Sequence, residues 1–261
     1  MNIDVLKAAT SGLESGKKTA LATVTQVNGS APGITGAMMV VFENGTQAGT
    51  IGGGKLEHAV ISSIHKAFET GESFEFDYDL SKDGELEMVC GGRIKGFVNM
   101  LLPNRRLIIF GAGHVSQQIA AAASGLPFDI TVVDDRAQFQ SCFQAPHAYL
   151  ACTPSQSARH LRLDANTFIV IATRGHMHDY EALRLVIDSP AAYIGMMGSH
   201  AKIAETKARL AADGYPAELV DRVYMPIGLD ICSGTPIQIA FSIIGEILAV
   251  ANGKRGGHRR L

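Results

Sequence analysis

Residues 19–27 run Thr-Ala-Leu-Ala-Thr-Val-Thr-Gln-Val, near-alternating and β-branched, which predicts a strand. Ahead of it, Val5, Leu6, Ala9 and Leu13 recur at helical spacing, with Asp4 placed to cap, so a helix is expected over 4–15. A second strand is expected at 37–42, a hairpin turn at Glu43-Asn44-Gly45, a short strand near 47–51 and a helix over 55–69. Strands at 73–79 and 96–101 complete an α+β region with a mostly antiparallel sheet.

After Pro103-Asn104 the pattern changes to alternating strand and helix. Short apolar runs at 106–110, 129–133, 168–172 and 192–195 alternate with amphipathic stretches at 115–124, 179–187 and 200–212. Thr235 and Pro236 are placed as cap and first residue of a last, strongly apolar helix. This alternation predicts a doubly wound, Rossmann-like parallel sheet. The expected division is an α+β domain over 1–103, a Rossmann-like domain over 104–252 and a basic tail over 253–261.

Composition narrows the classes of function. Of 261 residues 28 are glycine, above the usual share of roughly 7%. Glycine clusters mark tight turns or close backbone approach. A formal charge of −2 argues against nucleic-acid binding through bulk charge. No run of about 18 uncharged apolar residues predicts a membrane span. Four cysteines without a Cys-x-x-Cys pair read as thiols of a reducing cytoplasm.

The glycines fall in motifs. Gly111-Ala112-Gly113-His114-Val115-Ser116 joins a strand to a helix, where the first glycine permits the turn and the second admits a phosphate. Ser116 stands where the third glycine is usual. Asp134 ends the next strand, at the place of a ribose-binding acid, and Asp135 beside it disfavours a 2′-phosphate. His114 is either an oxyanion donor or acid–base group, or a residue serving its own helix. Gly52-Gly53-Gly54 precedes a helix and is an anion-binding turn or a tight corner, with Glu57 as the alternative structural carboxylate at the same helix end. Cys90-Gly91-Gly92 presents a sterically open thiol near Arg93, suited to a nucleophile, a sulfur carrier or a soft-metal ligand; the alternative is a small buried cysteine. Gly195-Met196-Met197-Gly198-Ser199 is a further strand-to-helix turn. His176, His178 and Asp179 follow another strand and carry either a metal or a helix cap at Asp179.

Seven segments in order resemble one family: Gly-Ser-Ala-Pro at 29–32, Gly-Thr-Ile-Gly-Gly-Gly at 49–54, Cys-Gly-Gly at 90–92, Gly-Ala-Gly-His-Val at 111–115, Val-Val-Asp-Asp-Arg at 132–136, Tyr-Ile-Gly-Met-Met-Gly-Ser at 193–199 and Pro-Ile-Gly-Leu-Asp at 226–230. The set resembles the XdhC/CoxI family of molybdenum-hydroxylase accessory proteins over nearly the whole chain. The resemblance implies a chaperone of the molybdenum cofactor (molybdopterin) that supports its sulfuration and insertion into a xanthine dehydrogenase-type hydroxylase. It implies a cysteine desulfurase as second partner and self-association into a homo-oligomer. On this reading Gly52, Gly53, Gly54, Gly91, Gly92, Gly111, Gly113, Ser116, Asp134, Gly195, Gly198 and Ser199 hold cofactor or nucleotide. Cys90 lies near molybdenum or sulfur, with His114 nearby. Arg174 departs from the family's usual Thr-His-x-His, and His200-Ala201 from its basic cluster. The residues themselves leave two rivals open: an NAD-dependent oxidoreductase built on Gly111, Gly113 and Asp134, and a cofactor-free adaptor between hydroxylase and desulfurase.

Overall fold

A computed structural model describes residues 2–81, 84, 91–143, 147–232 and 234–257. The chain forms two compact units, Met1–Asn104 and Arg105–Leu261.

The first unit runs α1 (Asn2–Glu14), β1 (Thr19–Asn28), β2 (Met38–Phe42), β3 (Gln47–Gly49), α2 (Gly54–Thr70), β4 (Phe74–Asp79) and β5 (Arg93–Leu101). Its antiparallel sheet has the order β3-β2-β1-β5-β4. β2 is apolar throughout because both its faces are covered. Met39 and Val41 join Leu56, Val60 and Ile64 of α2, while Val40 packs with Val5 and Ala9 of α1. The α1 stripe differs from the expected one: Val5, Ala9 and Gly12 are buried and Leu6 is exposed. A Cβ at Gly12 would fall 2.2 Å from the Phe42 ring, so the glycine sets how closely helix and sheet approach. The helix begins at Asn2, which puts Asp4 in its first turn instead of at its cap.

The second unit runs β6 (Arg105–Phe110), α3 (His114–Ala123), β7 (Phe128–Val133), β8 (Ala148–Leu150), α4 (Pro154–Ser157), β9 (Thr167–Ile171), α5 (His176–Val186), β10 (Tyr193–Met196), α6 (His200–Ala212), α7 (Ala217–Asp221) and α8 (Pro236–Ala251). All its strand pairs are parallel, in the order β10-β9-β6-β7-β8. Alternate residues of β6 serve opposite cores: Leu107 and Ile109 pack with α3 and α8, Ile108 and Phe110 with α5 and α6. Burial on both sides explains why these strands read as continuous apolar runs. The chain order reverses between β6 and β9, where such folds open a crevice at the carboxyl ends of the strands. α5 starts three residues earlier than expected and is capped by Gly175, so Asp179 is not a cap. At α8 the expected start holds, with Gln238 Oε1 accepting from Thr235 N at 3.1 Å. The short β8, α4 and α7 were not foreseen, being too brief to show a period.

Candidate functional site

Three glycine segments of the first unit meet backbone to backbone. A Cβ at Gly92 would lie 2.7 Å from both Asn28 O and Ser30 O, and one at Gly33 would lie 2.5 Å from Ile51 O. A Cβ at Gly52 would come within 3.1–3.3 Å of Pro32 and Gly33 backbone. The Gly-Ser-Ala-Pro loop, the Gly52–Gly54 turn and the Gly91-Gly92 pair therefore share one corner, which only residues without side chains can build. Cys90 lies outside the described residues. Gly91 joins the corner at φ +69°, with no atom of the other described residues within 4 Å of where its Cβ would be, and Gly53 and Gly54 are equally open toward the described residues at φ +78° and +61°.

The Gly52–Gly54 turn already holds an anion of its own. Glu57 Oε1 accepts from Ile51 N and Gly53 N, each at 2.9 Å, and from the Thr50 hydroxyl. Burial pushes the Glu57 carboxyl up, and these hydrogen bonds outweigh it, holding it below its ordinary value of 4.5. The structural role weighed for Glu57 is the one the geometry shows. Among the described residues no side chain caps the start of α2.

In the second unit the crevice is lined by Gly111, Asp134, Asp135, Thr173, Arg174 and His178, among others, from the ends of β6, β7 and β9. Gly111 has φ +107°, and its missing Cβ would fall 2.2 Å from Ala172 O. Gly113 caps α3, with no side-chain bond and no obstruction from the other described residues. His114 is the first helical residue and exposed. This end of α3 therefore keeps its amides and positive dipole for an outside group.

Five expected contact residues have other work. Asp134 is 8% exposed and faces inward, accepting from Ala112 N at 2.8 Å and from Arg136. Ser116 is fully buried, its hydroxyl without a partner among the described residues; it fills the close-packing position of the missing third glycine. Gly195 lies buried within β10, where a Cβ would strike Ile227 at 2.5 Å and the Tyr193 hydroxyl at 2.6 Å. Ser199 is the α6 cap, accepting from Lys202 N at 3.3 Å. Gly198 sits under that first turn, with Ile203 and Lys202 at 3.0 Å from its virtual Cβ.

One network escaped the sequence reading. Asp179, 2% exposed, accepts from Thr173 N at 3.0 Å, from the Thr173 hydroxyl at 2.8 Å and from Lys202 Nζ, which also donates to Met197 O at 2.9 Å. It ties the loops after β9 and β10 together at the crevice. The available signal was position: Asp179 lies on the apolar stripe of α5 with Ala182, Leu183 and Val186, and a carboxylate there demands a partner. His178 Nδ1 lies 3.2 Å from Glu181, whose other oxygen accepts from Ser155 N at 3.0 Å. Among the described residues no group of three or more His, Cys, Asp or Glu side chains is placed to hold a metal ion. Among the same residues no helix is long and apolar enough to cross a membrane.

Comparison with known proteins matches both units. Residues 107–247 fit the description of the XdhC Rossmann domain, and residues 12–79 that of the XdhC and CoxI family. The chain is 33% identical over 243 residues to the Escherichia coli (strain K12) protein YqeB, covering 91% of this chain and 44% of that one. It is 29% identical over 154 residues to a probable xanthine dehydrogenase subunit of Bacillus subtilis (strain 168), covering 58% and 44%. The chain thus spans less than half the length of these two relatives. Against the molybdenum cofactor insertion chaperone PaoD of Escherichia coli (strain K12) it is 21% identical over 297 aligned positions, covering 94% of this chain and 87% of that one. A crystal structure described as a xanthine dehydrogenase from Bacillus halodurans shares the fold, with a TM-score of 0.52 and 22% identity over 97% of this chain and 98% of that one. With both units matched in order, and with the family's glycine segments built into one corner and one crevice, the chain belongs to the XdhC and CoxI family.

Proposed function

We propose that this protein is a molybdenum-cofactor accessory protein working in the cytoplasm for a xanthine dehydrogenase-type hydroxylase. It binds the cofactor, supports replacement of an equatorial oxo ligand by sulfido together with a cysteine desulfurase, and hands the product to the hydroxylase as a homo-oligomer. The observation that carries this reading is the match to the family over both units, supported by alignment across most of a relative named as a cofactor insertion chaperone.

The residues fit such a cargo. Molybdopterin carries a phosphate and a dithiolene-bound metal. Gly53, Gly54 and Gly91 offer backbone faces that no side chain among the described residues obstructs. The uncapped amides of α2 and α3 suit a phosphate. When bound, the cofactor supplies the molybdenum centre; the chain supplies donors, exclusion of competing ligands and, at Cys90, a thiol within two residues of the glycine corner. Gly91→Val puts a β-branched side chain at φ +69°, and so blocks the open face.

The test is co-expression with an active cofactor pathway, followed by molybdenum analysis and pterin fluorescence of the purified protein. We expect both signals in the wild type and their loss in Gly91→Val. Absence of both signals, under conditions that load a control carrier, refutes cofactor binding and leaves an adaptor that captures hydroxylase and desulfurase alone. A Cys90→Ser variant that carries and delivers sulfurated cofactor normally removes Cys90 from the scheme.

A further inference from the structure

The second unit has the strand order and glycine turn of a dinucleotide domain. In such a domain the acid after the second strand accepts hydrogen bonds from a ribose, and the glycine turn lies against the pyrophosphate. The residues here do not fit that ligand.

Asp134 stands at the position of the ribose acid, but its bonding capacity is spent. A carboxylate offers about four lone-pair sites. Oδ2 accepts from Ala112 N at 2.8 Å and Arg136 Nη2 at 2.7 Å; Oδ1 accepts from Arg136 N at 3.0 Å and Arg136 Nε at 2.7 Å. A ribose diol finds no acceptor left there. The alternative, a 2′-phosphate, needs a cation. Arg136 is committed to Asp134 and lies over the Phe139 ring at 4.4 Å, and Arg174 pairs with Asp135 at 2.8 Å. The Asp135–Arg174 pair also joins the loops after β7 and β9 on either side of β6. The space lined by these loops is about 250 Å³, counting its open mouth. Pockets for drug-sized molecules run from about 300 to 1,000 Å³, and a dinucleotide is larger than such molecules.

We infer that this Rossmann unit takes no nicotinamide dinucleotide, and that Asp134 is instead a clip that fixes the Gly111–Gly113 turn through Ala112 and Arg136. The turn and the α3 amides are thereby held in shape without a nucleotide. The inference stands apart from the cofactor reading: a chain that carries no molybdenum can still have a crevice that takes no dinucleotide, and the reverse.

The test titrates the full wild-type chain and its Asp134→Asn variant with NADH and NADPH, following nucleotide fluorescence, and records thermal unfolding of both proteins. The expected result is no saturable binding by the wild type, and an unfolding midpoint in Asp134→Asn lowered by roughly 5 °C or more. Saturable binding of either dinucleotide by the wild type overturns the inference. So does an Asp134→Asn variant as stable as the wild type, because the carboxylate would then clip nothing. If Asp134→Asn does not fold, Arg136→Lys keeps the charge, removes the bidentate fork and is expected to show a smaller drop of the same sign.

Discussion

Gly111→Ala adds one methyl where the chain has no room for it. The virtual Cβ lies 2.2 Å from Ala172 O, 2.7 Å from Ala172 C and 2.9 Å from Thr173 Cα, all of them backbone. Backbone does not swing aside as a flexible side chain does, so the ends of β6 and β9 must separate. That strains the bond from Ala172 N to Phe110 O (2.9 Å) and the bond from Gly111 N to Val133 O (2.8 Å). The φ of +107° is itself one that alanine rarely adopts. Backbone strain costs about 1–3 kcal/mol and overpacking a similar amount, together roughly 2–6 kcal/mol. Against a usual total of about 5–15 kcal/mol, that is a large share. Urea unfolding followed by tyrosine fluorescence reads the right unit, because five of the six tyrosines (149, 180, 193, 215 and 224) lie in it and the chain has no tryptophan. Gly113→Ala is the control. Its Cβ would meet nothing within 4 Å among the described residues, so only the change of cap residue is felt, at about 1 kcal/mol or less. If Gly111→Ala unfolds with the midpoint of Gly113→Ala, the argument from close approach is wrong.

Ser116→Ala removes a buried hydroxyl that has no partner among the described residues and is expected to stabilise the protein by about 1–2 kcal/mol in the same urea assay, with cofactor loading unchanged. Glu57→Ala strips the acceptor from the Thr50 hydroxyl and from the amides of Ile51 and Gly53; amide exchange at Ile51 should quicken roughly tenfold or more, and unchanged protection would show that the turn holds itself. Burial raises the Asp134 carboxyl, while the bonds from Arg136 and Ala112 lower it further, so it ends below its ordinary 3.8. Its contribution to stability is therefore complete above the ordinary value and is lost as pH falls through the lowered one. The tyrosine-monitored midpoint should drop below about pH 4, and Asp134→Asn should flatten that limb; an equal acid dependence in both proteins would contradict the pairing.

The two-part architecture was legible because its signals are local. A period of two over 19–27, glycine turns after apolar runs, and strand–helix alternation after residue 104 each depend on neighbours within a few positions. What was not legible was the direction in which the chemistry faces. Asp134 and Arg136 are two residues apart, and Glu57 is four from Gly53, yet the sequence leaves open whether each carboxylate points at a ligand or back at its own loop. The path of the backbone after β7 and into α2 settles it. Gly195 reads as part of a binding turn until Ile227 and the Tyr193 hydroxyl are seen to occupy the space of its side chain.

By itself the sequence determined the fold class, the placing of glycine at the strand ends and, through seven ordered segments, the family. The tertiary structure alone decided which glycines serve packing and which leave a face open. Gly92, Gly111 and Gly195 have neighbours where a Cβ would go, whereas Gly53, Gly91 and Gly113 have none among the described residues. The reason is physical: backbone conformation is set by residues adjacent in the chain, but the space around a residue is set by whatever the fold brings against it.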